Sequence, residues 1–128
     1  MKKLVIIESP YRLGDRNRNL RYLAWCELDA ANRGELPISS HGNCTAYWPE
    51  TDEHRALGFG WRDAVRSKCD LVAYYTDLGV SPGAKSAAER DAREGVPFEL
   101  RELPACLRLR FERCEHAPGS MRRVCAPC

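Results

Sequence analysis

Two short apolar runs constrain the fold of this chain more than any other feature. One extends from Lys3 to Ile7 and the other, DLVAYYT, from Asp70 to Thr76. Both runs are continuous rather than alternating, which is typical of strands buried on both faces of a parallel sheet. Shorter candidates at 36–39 and 96–103 bring the predicted number of strands to four, and Pro97 favours an edge position for the last one.

Three amphipathic segments lie between these strands, at 17–33, 51–68 and 81–94. Their apolar residues recur at three- and four-residue spacing, as in helices that bury one face. Asp15 or Asn17 can cap the first helix, and Ser81 can cap the third. The order βαβαβαβ predicts an α/β fold: an open four-stranded parallel sheet with right-handed crossovers and helices on both faces.

Length and charge divide the chain into a neutral body and a basic tail. The 128 residues are enough for one domain, which we place at 1–103. Its net charge is −1, whereas that of the Cys-rich tail, residues 104–128, is +3. The apolar run at the N-terminus is too short for a signal peptide or a membrane span. We therefore expect a cytoplasmic protein with reduced cysteines in its body, no membrane association and no nucleic acid partner.

Polar residues follow three of the predicted strands. They occupy Glu8–Tyr11, Ser40–Asn43 and Asp77–Gly83. In open parallel sheets, ligands bind outside the carboxyl ends of the strands, where the strand order reverses. The three segments are therefore predicted to form one ligand site.

Of the three segments, Asp77–Gly83 points most specifically to a ligand. A helix that begins near Ser81 and Gly83 offers unpaired N–H groups and a favourable dipole to an anion such as phosphate, with Gly79 in the turn before it. Asp77 can accept hydrogen bonds from sugar hydroxyls. Alternatively, this is an ordinary capped turn in which Asp77 satisfies backbone donors.

The other two segments contain candidate site residues, each of which has a functional and a structural interpretation. Glu8 is a general acid if it is desolvated, or a hydrogen-bond partner of the first helix. Tyr11 stacks on a base or covers the core edge, and His41 is an acid/base group or a solvated loop histidine. Arg12 meets a phosphate or belongs to a solvated basic face. The remaining ligand-binding candidates are Ser9, Pro10 and Ser40.

The runs VIIESPY, SSH, ALGFGW and YTDLGVSPG resemble small phage and bacterial proteins related to the nucleoside 2-deoxyribosyltransferase-like superfamily. The resemblance covers about residues 3–102. It implies a small flavodoxin-like three-layer fold and cleavage or transfer of N-glycosidic bonds. It further implies an Asp that contacts the sugar and base, matched by Asp77, and a helix-borne Glu nucleophile four residues after Gly83.

The position of that nucleophile is occupied by Ala87. Glu89 follows two residues later, about 200° around the helix, and reaches the same place only if the helix start is shifted or bulged. The first hypothesis is therefore a nucleoside or nucleotide hydrolase or transferase that uses Glu89 or Glu8, with no cofactor required in the core domain. The second is a catalytically inactive protein that binds or sequesters a nucleotide. Homo-oligomers are common in the superfamily, so a homo-oligomer is expected.

The tail contains a separate pattern. Cys114 and His116, followed by Cys125 and Cys128, make four ligands that a structural zinc ion accepts. The alternative is a flexible basic tail with reduced thiols. A third hypothesis follows, in which the tail carries the function of an interaction module and the body is its scaffold.

Overall fold

The computed structural model describes residues 2–116 and 118. Its centre is a four-stranded, all-parallel sheet in the order β2-β1-β3-β4, so the predicted α/β class and the edge position of the last strand are confirmed. The strands are β1 (Leu4–Glu8), β2 (Leu36–Ile38), β3 (Leu71–Tyr75) and β4 (Phe98–Arg101). The two continuous apolar runs form the inner strands β1 and β3, because only inner strands are covered on both faces and along both edges.

Helices cover both faces of the sheet and give three layers. They are α1 (Arg16–Asn32), α2 (Ser40–Cys44), α3 (Asp52–Arg66), α4 (Pro82–Glu94) and α5 (Ala105–Arg113). On one face, Val5 and Ile7 pack with side chains of α1 and α5. On the other face, Ile6 and Val72 pack with Val65 of α3 and with α4. Because successive side chains of β1 point to opposite faces of the sheet, they pack into two separate cores.

Capping residues define where the helices begin. Asp15 accepts a hydrogen bond from the Arg18 amide over 3.2 Å, and Ser81 accepts one from the Ala84 amide over 3.1 Å. Each satisfies an amide that has no partner within the first turn of its helix. Gly95 ends α4 with a φ of +71°, a conformation that favours glycine.

Two segments differ from the sequence-based expectations. Residues 40–43, expected to be a polar loop, form the start of α2, because the buried Ser39 caps it through the Gly42 amide. The segment after Pro104, expected to begin the tail, forms α5. Its Leu107 and Phe111 are buried in the same core as α1, so the folded unit extends past the boundary predicted at residue 103.

None of the helices described is long and apolar enough to cross a membrane.

Candidate functional site

The strand order reverses between β1 and β3, which are neighbours in the sheet although β2 lies between them in the chain. Glu8, the last residue of β1, is in register with Tyr74 of β3. The carboxyl end of β1 is therefore the position where open parallel sheets place their ligands. We call the group formed there by Glu8, Ser9, Tyr11, His41 and Arg62 the β1 site.

Glu8 and Arg62 form the centre of the β1 site. Nε of Arg62, on α3, donates to Oε1 of Glu8 over 2.6 Å, and both side chains are only 11% exposed. The second carboxylate oxygen, Oε2, has no hydrogen-bond partner in the part of the chain described and keeps some exposure to solvent. One oxygen of Glu8 is thus anchored by a charge-assisted bond while the other is available to a donor.

Two polar atoms of the β1 site are buried without a partner. Neither Oγ of Ser9 nor Nη2 of Arg62 forms a hydrogen bond with any described residue. A buried donor without an acceptor costs about 1–3 kcal/mol. Seven buried side-chain N or O atoms lack a partner among the described residues, and these two lie beside Glu8. Both can donate, and both belong to residues next to Glu8 in sequence or in space.

Tyr11 and His41 form the aromatic part of the site. Their rings stack with centroids 4.6 Å apart and an angle of 12° between their planes. The Tyr11 hydroxyl donates to Glu50 over 3.4 Å, and Glu50 also pairs with Arg16. Burial lowers the pKa of His41, and the negative charge of Glu8 opposes that shift. Burial therefore makes the imidazole of His41 harder to protonate, and it lies within electrostatic range of Glu8.

The short helix α2 fixes the place of His41. Ser39 donates its hydroxyl to Glu27 of α1 over 3.0 Å and accepts from the Gly42 amide over 3.1 Å. A Cβ on Gly42 would lie 2.7 Å from Oγ of Ser39, so this close approach requires glycine. Ser40, a predicted ligand residue, is the half-buried first residue of α2.

Asp77 is occupied by structural contacts. Its Oδ2 accepts from the Tyr22 hydroxyl over 2.5 Å and from the Leu103 amide over 3.0 Å, while Arg108 lies 3.7 Å from Oδ1. The side chain is 3% exposed. These are the contacts of the alternative interpretation, in which Asp77 satisfies backbone donors, although its Oδ1 is buried without a hydrogen bond to any described residue.

The start of α4 is a regular capped turn. Ser81 accepts from the Ala84 amide, and Pro82 has no N–H to offer, so two of the amides expected to face a phosphate are used or absent. Gly79 adopts a φ of +91°, and Gly83 is exposed at the second helical position. This turn lies after β3 and contributes no described side-chain contact to the β1 site.

Glu89 does not take the place of the expected nucleophile. The helix α4 is regular from Pro82 to Glu94. It therefore lacks the shift or bulge that would move Glu89 to the position of Ala87. Ala87 packs against the core at Ile6 and Val72, whereas Glu89 is exposed. At the position of the expected nucleophile, the helix therefore turns a methyl group, not a carboxylate, toward the sheet.

The remaining candidates lie away from the centre of the site. Pro10 is half-buried and Arg12 is exposed. Sγ of Cys114 lies 3.5 Å from Nδ1 of His116, and the other two predicted zinc ligands, Cys125 and Cys128, lie outside the described residues. Within residues 2–116 and 118, no three His, Cys, Asp or Glu side chains are grouped to hold a metal ion.

Arg62 and Glu50 were missed by the reasoning from sequence. A signal for Arg62 exists, because it lies three residues before Val65, which packs against the sheet, and so falls near the inward side of α3. A charged residue on an inward face needs a partner, and Glu8 at the end of an apolar strand needs one too. Glu50 gives no such signal, since it lies in an irregular segment.

The comparison with known proteins yields one match. The family described as Domain of unknown function (DUF7768) matches residues 3–101, which contain the whole sheet and helices α1 to α4. No curated protein and no solved structure matches the chain significantly. The match covers well over half of the sequence, and the chain belongs to the DUF7768 family.

Proposed function

We propose that this domain binds a nucleoside or nucleotide at the β1 site and leaves its N-glycosidic bond intact. The ligand class comes from the sequence resemblance to the nucleoside 2-deoxyribosyltransferase-like superfamily. The absence of cleavage comes from the superfamily's nucleophile position, which holds Ala87, and from Glu89 and Asp77, which are displaced or engaged. The two parts of the proposal have separate support and separate tests.

The observation that carries the binding proposal is the set of unmatched polar atoms beside Glu8. Among the described residues, Ser9 Oγ and Arg62 Nη2 have no acceptor, and no donor is found for Glu8 Oε2. A ligand that carries both hydroxyl donors and anionic or carbonyl acceptors matches this set. The donors are closed off from solvent, so we expect the Tyr11–His41 pair to move aside when a ligand enters.

Three carboxylates bear on the proposal that the bond is not cleaved. A nucleophile must reach the anomeric carbon with a free oxygen. Glu89 is exposed on the far side of α4, and Asp77 is held by Tyr22 and Leu103. Glu8 is bound to Arg62 through Oε1 alone and is the one of the three with an open oxygen at the β1 site. The residue at the superfamily position, Ala87, has no functional group.

An enzyme of N-glycosidic hydrolysis or transfer is the second candidate. One observation favours it: Glu8 keeps one open oxygen and has the imidazole of His41 within electrostatic range. In that case Glu8 is the nucleophile or base, and His41 serves as the acid/base group. The two candidates use the same residues and differ in whether free base is released.

One incubation separates the candidates. The purified protein is mixed with a pool of nucleosides and 5′-nucleotides, and mass spectrometry reads both the ligand retained after gel filtration and the base released. Arg62→Gln and Glu8→Gln are compared with Arg90→Gln. Arg90 is an exposed arginine of α4, paired with Asp63 and Glu94, and its replacement makes the same charge change away from the β1 site.

We expect a nucleoside or nucleotide to be retained unchanged by the natural protein and by Arg90→Gln, and to be lost with Arg62→Gln and Glu8→Gln. Arg62→Gln leaves the buried Glu8 carboxylate without its partner. The double variant Glu8→Gln/Arg62→Gln removes both charges, and its circular dichroism spectrum checks that the protein folds without the pair. Base release that disappears with Glu8→Gln would establish the enzyme. A protein that retains nothing from the pool would refute the binding proposal.

A further inference from the structure

One side of α3 has no partner within the described part of the chain. Six positions form a stripe along it, because their spacing of three and four residues brings them to one side of the helix. They are Glu53, Leu57, Gly60, Trp61, Ala64 and Lys68, the last of which follows the helix end. Trp61 is half-buried and the other five are exposed, Leu57 by 48%.

Gly60 makes no close contact that would require glycine within the described part of its subunit. Glycine is disfavoured in the interior of a helix, so a glycine there calls for a close contact or a special backbone conformation. Gly60 has neither: a Cβ at this position would meet no atom within 4 Å, and its φ is not positive. The glycine leaves room on the outer surface of α3.

The stripe is complementary to itself. About the midpoint between Gly60 and Trp61, an apolar residue lies on each side at Leu57 and Ala64, followed by an acid at Glu53 and a base at Lys68. When two such helices pack antiparallel about a two-fold axis, each position faces its mirror position in the other copy. Leu57 then faces Ala64, the indole of Trp61 lies over Gly60, and Glu53 faces Lys68.

We propose that a second copy of this chain docks on this face, so that the protein is a symmetric dimer through antiparallel α3 helices. In this arrangement large residues face small ones and acids face bases. Both matches arise when the facing helix carries the same stripe, and they identify the occupant as a second copy of the chain. The large apolar side chains Leu57 and Trp61 supply the buried surface. The charges at the two ends of the stripe favour antiparallel packing of the two helices. Arg62 and Arg66 lie outside the stripe and remain with Glu8 and Asp91 of their own subunit.

Sedimentation equilibrium of the full chain, from micromolar to millimolar concentration, tests the dimer. Gly60→Ala adds a methyl group under the partner's Trp61 and is expected to raise the dissociation constant at least tenfold, while it raises the melting temperature of the monomer, since alanine favours the helix. Gly58→Ala is the matched control. It also lies on α3 with no atom within 4 Å of its Cβ position, but outside the stripe, so it should stabilise the helix and leave the dimer unchanged.

The charges at the ends of the stripe allow a second test. Glu53→Lys and Lys68→Glu each place like charges opposite each other twice in a dimer, and each should weaken it by about tenfold. The double variant Glu53→Lys/Lys68→Glu restores opposite charges only if residue 53 faces residue 68 of another copy, and it should recover the original constant. A monomer at all concentrations, or a double variant as weak as its parents, would overturn the proposal.

Discussion

Nε of Arg66 on α3 donates to Oδ1 of Asp91 on α4 over 2.6 Å, and Asp91 is completely buried. The Tyr74 hydroxyl of β3 donates to the other oxygen of Asp91. Arg66 also reaches Glu94 through Nη1. This network ties both helices of one face to an inner strand, so that face is held by charge as much as by the small apolar cluster around Ile6.

Removal of Asp91 should be the most damaging single change on that face. Asp91→Ala leaves Arg66 charged and buried without its main partner, and such losses cost about 3–5 kcal/mol in the free energy of unfolding. Urea denaturation measures the loss. Asp63→Ala, which breaks the exposed pair with Arg90, should cost less than about 1 kcal/mol. Equal losses in the two variants would mean that the Asp91 network is not buried in solution.

The Tyr22 hydroxyl bridges two atoms of Asp77: it donates to Oδ2 and accepts from the amide over 3.0 Å. Tyr22→Phe leaves the Asp77 amide without an acceptor and removes one of the two donors to Oδ2, so we expect the free energy of unfolding to fall by about 1–3 kcal/mol. Denaturation of Tyr22→Phe beside Tyr47→Phe, a half-exposed tyrosine, checks this. A loss confined to Tyr22→Phe supports a structural role for Asp77.

Ser9→Ala should change stability and binding in opposite directions. The Ser9 hydroxyl is buried without a partner, so its removal should raise the free energy of unfolding of the ligand-free protein by about 1 kcal/mol. The same change removes a donor from the β1 site and should weaken nucleotide binding. Thermal melts with and without nucleotide measure both effects. A large loss of stability without ligand would indicate that the hydroxyl has an acceptor in the protein.

The stability of the protein should depend on His41 below neutral pH. Burial lowers the pKa of His41 in the folded state, so the unfolded chain binds a proton there first, near its ordinary value of about 6.5. The contribution of His41 is therefore complete above that value and is lost as the pH falls through it toward the lower folded pKa. The charged residues that act on the His41 imidazole are Glu8, Arg62 and Glu50.

Urea denaturation at about pH 7.5 and about pH 5.5 measures this dependence, since the two values bracket the ordinary pKa of histidine. His41→Gln should show a smaller loss of stability between them than the natural protein, whereas His54→Gln, which leaves His41 in place, should keep the full loss. Identical losses in all three proteins would contradict the assignment of this dependence to His41.

The inner strands and the start of α4 could be predicted from sequence because their signals are local. Leu4–Ile7 and Leu71–Tyr75 are apolar at every position, and Ser81-Pro82 is a strong helix start. The helix α2 could not be predicted in this way. Its five residues include no apolar repeat, and it exists because Ser39 and Gly42 contact each other and Glu27 of α1.

For the candidate site, topology predicts where the residues lie but not which contacts they make. Topology alone put Glu8, Tyr11 and His41 at the carboxyl ends of the strands, because that follows from the order of strands and helices. The engagement of Asp77 by Tyr22 and Leu103 depends on contacts across 55 and 26 residues of chain, which no local pattern encodes. The same holds for the pair of Glu8 with Arg62, 54 residues apart.

The position of β1 has a consequence for how the chain is made. Its residues Val5, Ile6 and Ile7 are at most 1% exposed in the folded protein, yet they leave the ribosome before the rest of the sheet and can pair with β3 only after residue 75 has emerged. At about 5–20 residues per second, a strongly apolar strand thus waits several seconds without its main partner. Until then it can pair only with the short β2, so we expect the nascent chain to be a substrate for ribosome-associated chaperones during that interval.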